Sequence, residues 1–221
     1  MTRVLAIDTA TPTAHVALLE ATDAGIDTVA QTAADMKGSH AEHLFRLIDH
    51  VLAAAGWSKQ QIDAFAVVRG PGSFTGVRIA LGTAQGLALA ADRPCVGVNT
   101  LEAMAEASGR CPGDRVPALG AGRGDLYIAR YDASSSPPDQ REAPGLQPAG
   151  SFWEAPPGFV LWGPGAEPPQ DFQAAGGRRS ATETAAAAGR IAILRGLDAA
   201  PEGPVSPLYI RPPDARLRSS R

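Results

Sequence analysis

The hydrophobic pattern changes period several times along the chain, and each change marks an element. Arg3-Val4-Leu5-Ala6-Ile7-Asp8 is an apolar run closed by an acid and predicts a buried strand. Thr9-Ala10-Thr11-Pro12-Thr13 reads as a turn, and His15-Val16-Ala17-Leu18-Leu19 as a returning strand. A second turn at Asp23-Ala24-Gly25-Ile26-Asp27 leads to Thr28-Val29-Ala30-Gln31-Thr32, which completes an antiparallel meander. Ser39-His40-Ala41-Glu42 then has the form of a capping box, in which Ser39 and Glu42 satisfy each other's backbone N–H groups. The helix it opens runs to Ala55, with Gly56 as its stop. Ile62 to Val68 is nearly all apolar, as a strand covered on both faces should be.

A glycine-rich turn, Arg69-Gly70-Pro71-Gly72-Ser73-Phe74-Thr75-Gly76-Val77-Arg78, follows that strand and opens a helix ending near Asp92-Arg93-Pro94. Cys95-Val96-Gly97-Val98 is a further strand, and Thr100 begins a helix over Leu101 to Ala107. This first part reads βββαβαβ, the order of a mixed sheet with helices packed on it. From Pro112 the texture is richer in proline and glycine. Val116 to Leu119 and Asp125 to Tyr131 read as strands, 133–157 as a long irregular loop, and Gly158 to Trp162 as a strand. Thr182 to Arg195 reads as an alanine-rich helix, and the polar tail from Arg211 as a fraying end. The expected division is therefore a lobe over 1–110 carrying the helices and a smaller lobe over 111–221.

Composition narrows the classes of function. The chain has 221 residues, 44% hydrophobic, enough for a real core. A net charge of −3 gives no overall field for nucleic acid or membrane, and 5% aromatics gives no rows of base-stacking rings. Two cysteines, Cys95 and Cys111, and an N-terminal apolar run too short for a signal or a span point to a reducing, cytoplasmic setting without a membrane.

The candidate chemistry centres on the glycine turn. It is neither a Walker A loop, for no lysine ends it, nor a dinucleotide fingerprint, for its third glycine falls one place late. Two readings stand with equal weight. Gly72, Ser73, Thr75 and Gly76, with Arg78 in the first helical turn, contact a nucleotide at the helix N-terminus, or the glycines permit a tight strand-to-helix turn. Asp8 reads first as a strand-end residue capping its own turn, with orientation of a metal-bound water as the second reading. His40, His43 and His50 share one helix and read as a polar flank rather than a metal site. No His-Glu-x-x-His and no Ser-His-Asp set stands out.

The two central helices carry a different signal. Gly82, Gly86 and Ala90 lie on one stripe, where another backbone can come close. The contact that compensates these glycines is either the chain's own sheet or a second protein. The apolar face of the 39–55 helix covers roughly half its circumference, where a sheet requires a stripe of about 100°. The surplus, around Phe45 and Leu52, is expected to face a partner. The predicted partner surface is His40, Phe45, Ile48, Leu52, Gly82, Gly86 and Ala90.

Four segments together carry a resemblance: Leu5-Ala6-Ile7-Asp8-Thr9-Ala10-Thr11, Ser39-His40-Ala41-Glu42, the turn Arg69 to Arg78, and Pro207-Leu208-Tyr209-Ile210-Arg211. In this order they resemble the TsaB (YeaZ) family. The resemblance implies an actin-like, sugar-kinase-like α/β fold of two lobes, each a mixed sheet with flanking helices. It implies a role in making threonylcarbamoyladenosine in tRNA, as the non-catalytic partner that activates the transferase TsaD, with TsaE joining the pair. By the same resemblance Thr100 and Met104 stand where TsaD-type chains place two metal-binding histidines, and neither is a good ligand for iron or zinc. The expectation is thus no cofactor or metal of the chain's own, with any ATP or ADP contact shared at the TsaD interface. The free chain is expected to pair with itself through the surface that TsaD would cover. Contact with tRNA is expected only indirectly, because Arg178, Arg179, Arg211, Arg216, Arg218 and Arg221 read as solvated. The alternative is an independent nucleotide-dependent kinase or metallohydrolase of the same fold.

Overall fold

A computed structural model describes residues 1–36, 40–169, 177–179, 183–197 and 203–211. The first sheet holds β1 (Thr2–Asp8), β2 (Thr13–Thr22), β3 (Gly25–Asp35), β4 (Ala64–Val68) and β5 (Cys95–Val98) in the order β3-β2-β1-β4-β5. β1 is antiparallel to β2 and parallel to β4, with Ala6 opposite both Ala17 and Ala66. The side chains of β1 and β4 alternate between two covered faces, which is why both read as unbroken apolar runs. On one face Leu5, Ile7, Val16, Leu18, Phe65 and Val67 meet α1 (His40–Ala55) and α2 (Phe74–Ala91). On the other, Val4, Ala6, Ala17, Leu19, Ala64 and Ala66 meet a third helix from far along the chain.

The second sheet has the order β10-β9-β6-β7-β8, from β6 (Asp114–Gly122), β7 (Asp125–Asp132), β8 (Asp139–Pro148), β9 (Phe159–Trp162) and β10 (Gly177–Arg179). α3 (Thr100–Ala107) packs on β6 and β7. The architecture is the expected α/β pair of lobes, each with a mixed sheet and flanking helices.

Two expectations are corrected. Residues 133–157 are not one irregular loop, because β8 and the short α4 (Ala149–Glu154) occupy most of them. β8 is an edge strand, the one sheet position that tolerates proline. Pro144 sits where the register skips, between Gly145 opposite Ile128 and Glu142 opposite Arg130. The contiguous division at 110/111 is also crossed. α5 (Thr184–Arg195) returns to the first sheet and packs on β1, β2 and β4. A β-carbon on Gly189 would stand 2.3 Å from Leu19 Cδ1, so the small side chains of this helix let it lie close on the sheet.

Residues 203–211 then tie the lobes together. Val205 joins the first core, the Leu208 N–H donates to the Arg69 carbonyl at 2.7 Å, and Ile210 packs with the core around Leu101 and Tyr127. Arg211 Nη1 donates to the Ala121 carbonyl at 2.7 Å, and its other amine pairs with Asp125. Ser39 of the expected capping box, Thr182, and Arg216, Arg218 and Arg221 lie outside the described residues, as do the side chains of His40 and Arg178. Among the described residues no helix is long and apolar enough to cross a membrane.

Candidate functional site

The glycine turn is filled by the chain itself. Ser73 caps α2 by accepting from the Gly76 N–H at 3.2 Å, and the Ser73 N–H donates to the Ala10 carbonyl at 2.7 Å. The Thr9 hydroxyl donates to the Gly76 carbonyl at 2.6 Å. A β-carbon on Gly72 would lie 2.2 Å from the Ala10 carbonyl oxygen, and one on Gly76 would lie 1.8 Å from that of Thr9. The glycines therefore let the strand-to-helix turn press against the turn after β1. The Ser73 and Gly76 N–H groups that a phosphate would need are already used within the chain. Thr75 is exposed at the helix start. Arg78 is drawn elsewhere: its Nε donates to the Tyr209 hydroxyl at 3.1 Å, and its guanidinium lies 3.9 Å above the Phe74 ring. Phe74 stacks on Tyr209 with centroids 4.9 Å apart.

Asp8 is fully buried. Its Oδ1 accepts the Ala10 N–H at 2.7 Å, so it caps its own turn. Its Oδ2 accepts the Thr184 hydroxyl at 2.5 Å, and Thr184 Oγ1 lies 3.1 Å from His15 Nδ1. No local rule of sequence joins residues 8, 15 and 184. The only sequence signal is a polar residue at the end of an apolar strand, repeated at His15 in the partner register.

The positions aligned with metal-binding histidines do not fit a metal. Thr100 is completely buried and its hydroxyl has no hydrogen-bond partner. Met104 packs among Leu101, Leu119 and Tyr127. Neither group is a ligand of the kind iron or zinc selects. Between them Glu102 is buried and pairs with Arg195 of α5. Burial raises the Glu102 carboxyl above its ordinary range, against the opposing pull of Arg195. Burial likewise pushes the Cys95 thiol up to about 12, which favours its protonated form.

The α1–α2 face is the open one. Gly82, Gly86 and Ala90 are exposed, and among the described residues a β-carbon on either glycine would meet nothing within 4 Å. The chain's own sheet thus does not supply the contact that compensates them. Phe45 is 44% exposed on α1 and Leu89 is 85% exposed on α2. Ile48 and Leu52, expected on the surface, are instead 1% and 5% exposed. They point to the sheet and floor a cleft of about 400 Å³ between the helices, with Leu87 and Ala90 on its wall. The broad apolar face of α1 therefore divides into a deep part in the core and a shallow part at Phe45. His43 and His50 are exposed on the same helix. Among the described residues no three His, Cys, Asp or Glu side chains come together as a metal site would require.

Residues 31–141 match the family model of TsaD, tRNA N6-adenosine threonylcarbamoyltransferase. The tRNA threonylcarbamoyladenosine biosynthesis protein TsaB of Escherichia coli (strain K12) is 40% identical over 131 residues, 58% of this chain and 54% of that protein. The match thus spans about half the length of that curated relative. An uncharacterized protein of Mycobacterium tuberculosis is 30% identical over 222 residues, 96% of this chain and 93% of its own. The crystal structure of an uncharacterized Pseudomonas aeruginosa protein with similarity to peptidase YEAZ has a TM-score of 0.74 at 24% identity, covering 96% of this chain and all of that one. This last likeness is one of fold.

Proposed function

The chain belongs to the TsaB (YeaZ) family, and from that membership and its surface we propose that it is a non-catalytic partner of TsaD in making N6-threonylcarbamoyladenosine in tRNA. The observation that carries the reading is the open glycine stripe. Two mid-helix glycines cost about 0.5–1 kcal/mol each relative to alanine, and nothing among the described residues offsets that. A second helix laid against Gly82 and Gly86, with Phe45 beside it, would supply the missing contact.

A catalytic role finds little support in the residues. The Ser73 and Gly76 N–H groups of the glycine turn are used within the chain, Asp8 is sealed under α5, and Thr100 and Met104 are the wrong donors for a metal. The proposed contribution is to favour the active arrangement of TsaD, a shift of population through contact alone. TsaE then meets the chain only through the complex, tRNA is touched by TsaD, and any ATP or ADP is shared at the interface. The free chain uses the same face for self-association in the cytoplasm. Co-purification tests the interface. Gly86→Glu or Phe45→Glu should abolish recovery of TsaD while the variant keeps its circular dichroism spectrum. Undiminished recovery would refute it.

A further inference from the structure

The cleft between α1 and α2 combines an apolar floor with a cationic rim. Leu5, Ile48, Leu52, Ile62 and Phe65 are buried in the chain and form the floor, with Leu87 on the wall. Ala90 and Ala91 end α2 with single methyl groups, so the gap between the helices stays open at its mouth. The volume of about 400 Å³ falls within the range of small-molecule pockets, roughly 300–1,000 Å³.

The floor is hydrocarbon, so a polar group placed on it would lose water and gain no partner there. The part of an occupant that enters the cleft must therefore be apolar. The rim asks for the opposite. Lys59, from the short helical turn after α1, and Arg93, just beyond α2, are the charged residues of the described lining, and both are cations. Lys59 Nζ pairs with Asp49 at 3.1 Å, but both side chains are well exposed. Such a pair contributes little, so Lys59 can exchange Asp49 for an incoming anion. The Arg93 N–H donates to the Ala88 carbonyl at 2.9 Å, which holds the residue at the end of α2. Its guanidinium brings forked donors that match a carboxylate. The same charge offsets the negative end of the helix, which would otherwise repel an anion.

We propose that this cleft binds a free medium-chain carboxylate, its chain lying on Ile48, Leu52, Ile62 and Phe65 and its head between Lys59 and Arg93. Ala90 also belongs to the face assigned to TsaD. The site nevertheless draws all its contacts from one chain, and its test needs no TsaD, so it stands or fails apart from that assignment.

Methyl ¹H–¹³C correlation spectra of the full chain, recorded during titration with sodium octanoate below its micelle concentration, test this. The methyls of Ile48, Leu52, Ile62 and Leu87 should shift saturably. Hexanoate, with two fewer methylenes, should bind about tenfold more weakly. Octylammonium, with the same chain and the opposite charge, should bind about fivefold more weakly, and Arg93→Glu should erase that preference. Phe45→Ser, which alters the neighbouring surface and not the cleft, should bind octanoate as the wild type does, so self-association through that surface cannot mask the result. Four outcomes would overturn the proposal: no saturable shift at the cleft methyls in either form, equal affinity for hexanoate and octanoate, octylammonium binding as tightly as octanoate, or an unchanged preference in Arg93→Glu.

Discussion

Gly76 and Thr9 are locked together: the Thr9 hydroxyl donates to the Gly76 carbonyl at 2.6 Å, and a β-carbon on Gly76 would stand 1.8 Å from the Thr9 carbonyl oxygen. The contact is backbone against backbone, so no flexible side chain can move aside. Gly76→Ala should therefore destabilise the chain by about 3 kcal/mol or more. Urea denaturation measures it, and a loss under about 1 kcal/mol would mean the turn relaxes at little cost.

Gly86 should behave in the opposite way. With open space around its Cα in the single chain, Gly86→Ala should raise the stability of the monomer by about 0.5–1 kcal/mol. The same methyl should hinder a helix packed on the stripe and weaken TsaD binding by roughly fivefold to a hundredfold, the range of overpacking costs. Thermal unfolding and titration calorimetry on one variant measure both effects.

Glu102 gives a pH dependence of definite sign. Burial raises its carboxyl in the fold, so the folded chain holds that proton more tightly than the unfolded chain does. Its contribution is most favourable below the ordinary glutamate value of about 4.3 and declines as pH rises to the raised folded value. Above that it stays constant. Glu106 shifts in the same direction, again through burial. Urea denaturation of the wild type and Glu102→Gln from about pH 4 to pH 7 should show a smaller decline in the variant. The difference between the two curves isolates this group from the other carboxylates.

The strap over 203–211 should control how firmly the lobes are held. Arg211→Ala removes donation to the Ala121 and Gly122 carbonyls and the pair with Asp125. Since the guanidinium is part-exposed, the expected global loss is about 1 kcal/mol. Hydrogen exchange should quicken from Val205 to Arg211 and in the turn between β6 and β7. Unchanged exchange there would show that Leu208 and Ile210 hold the strap without Arg211.

Much of the first lobe was legible because its signals are local. Val4 to Ile7 and Ala64 to Val68 announce strands by composition, and Gly56 stops α1 from within one turn. β8 was not legible, because Pro144 and Pro148 argue against a strand until its place at a sheet edge is known. At the glycine turn the same residues suit a phosphate or a backbone neighbour, and the close approach of Thr9 and Ala10 is not readable from them. The width of the apolar face on α1 was readable. Its division into buried Ile48 and Leu52 and exposed Phe45 required the depth of the sheet. The set Asp8, His15 and Thr184 joins the first strand to the last helix, a meeting set wholly by tertiary packing.

Threonylcarbamoyl transfer to tRNA in a purified reaction is the measurement closest to the central claim. The reaction would contain TsaD, TsaE, ATP and the threonylcarbamoyl adenylate, with this chain added, omitted, or replaced by Gly86→Glu. The account predicts modified adenosine only with the wild-type chain, and none when it is omitted or carries the charged stripe. Full modification without the chain, or equal activity with Gly86→Glu, would contradict it.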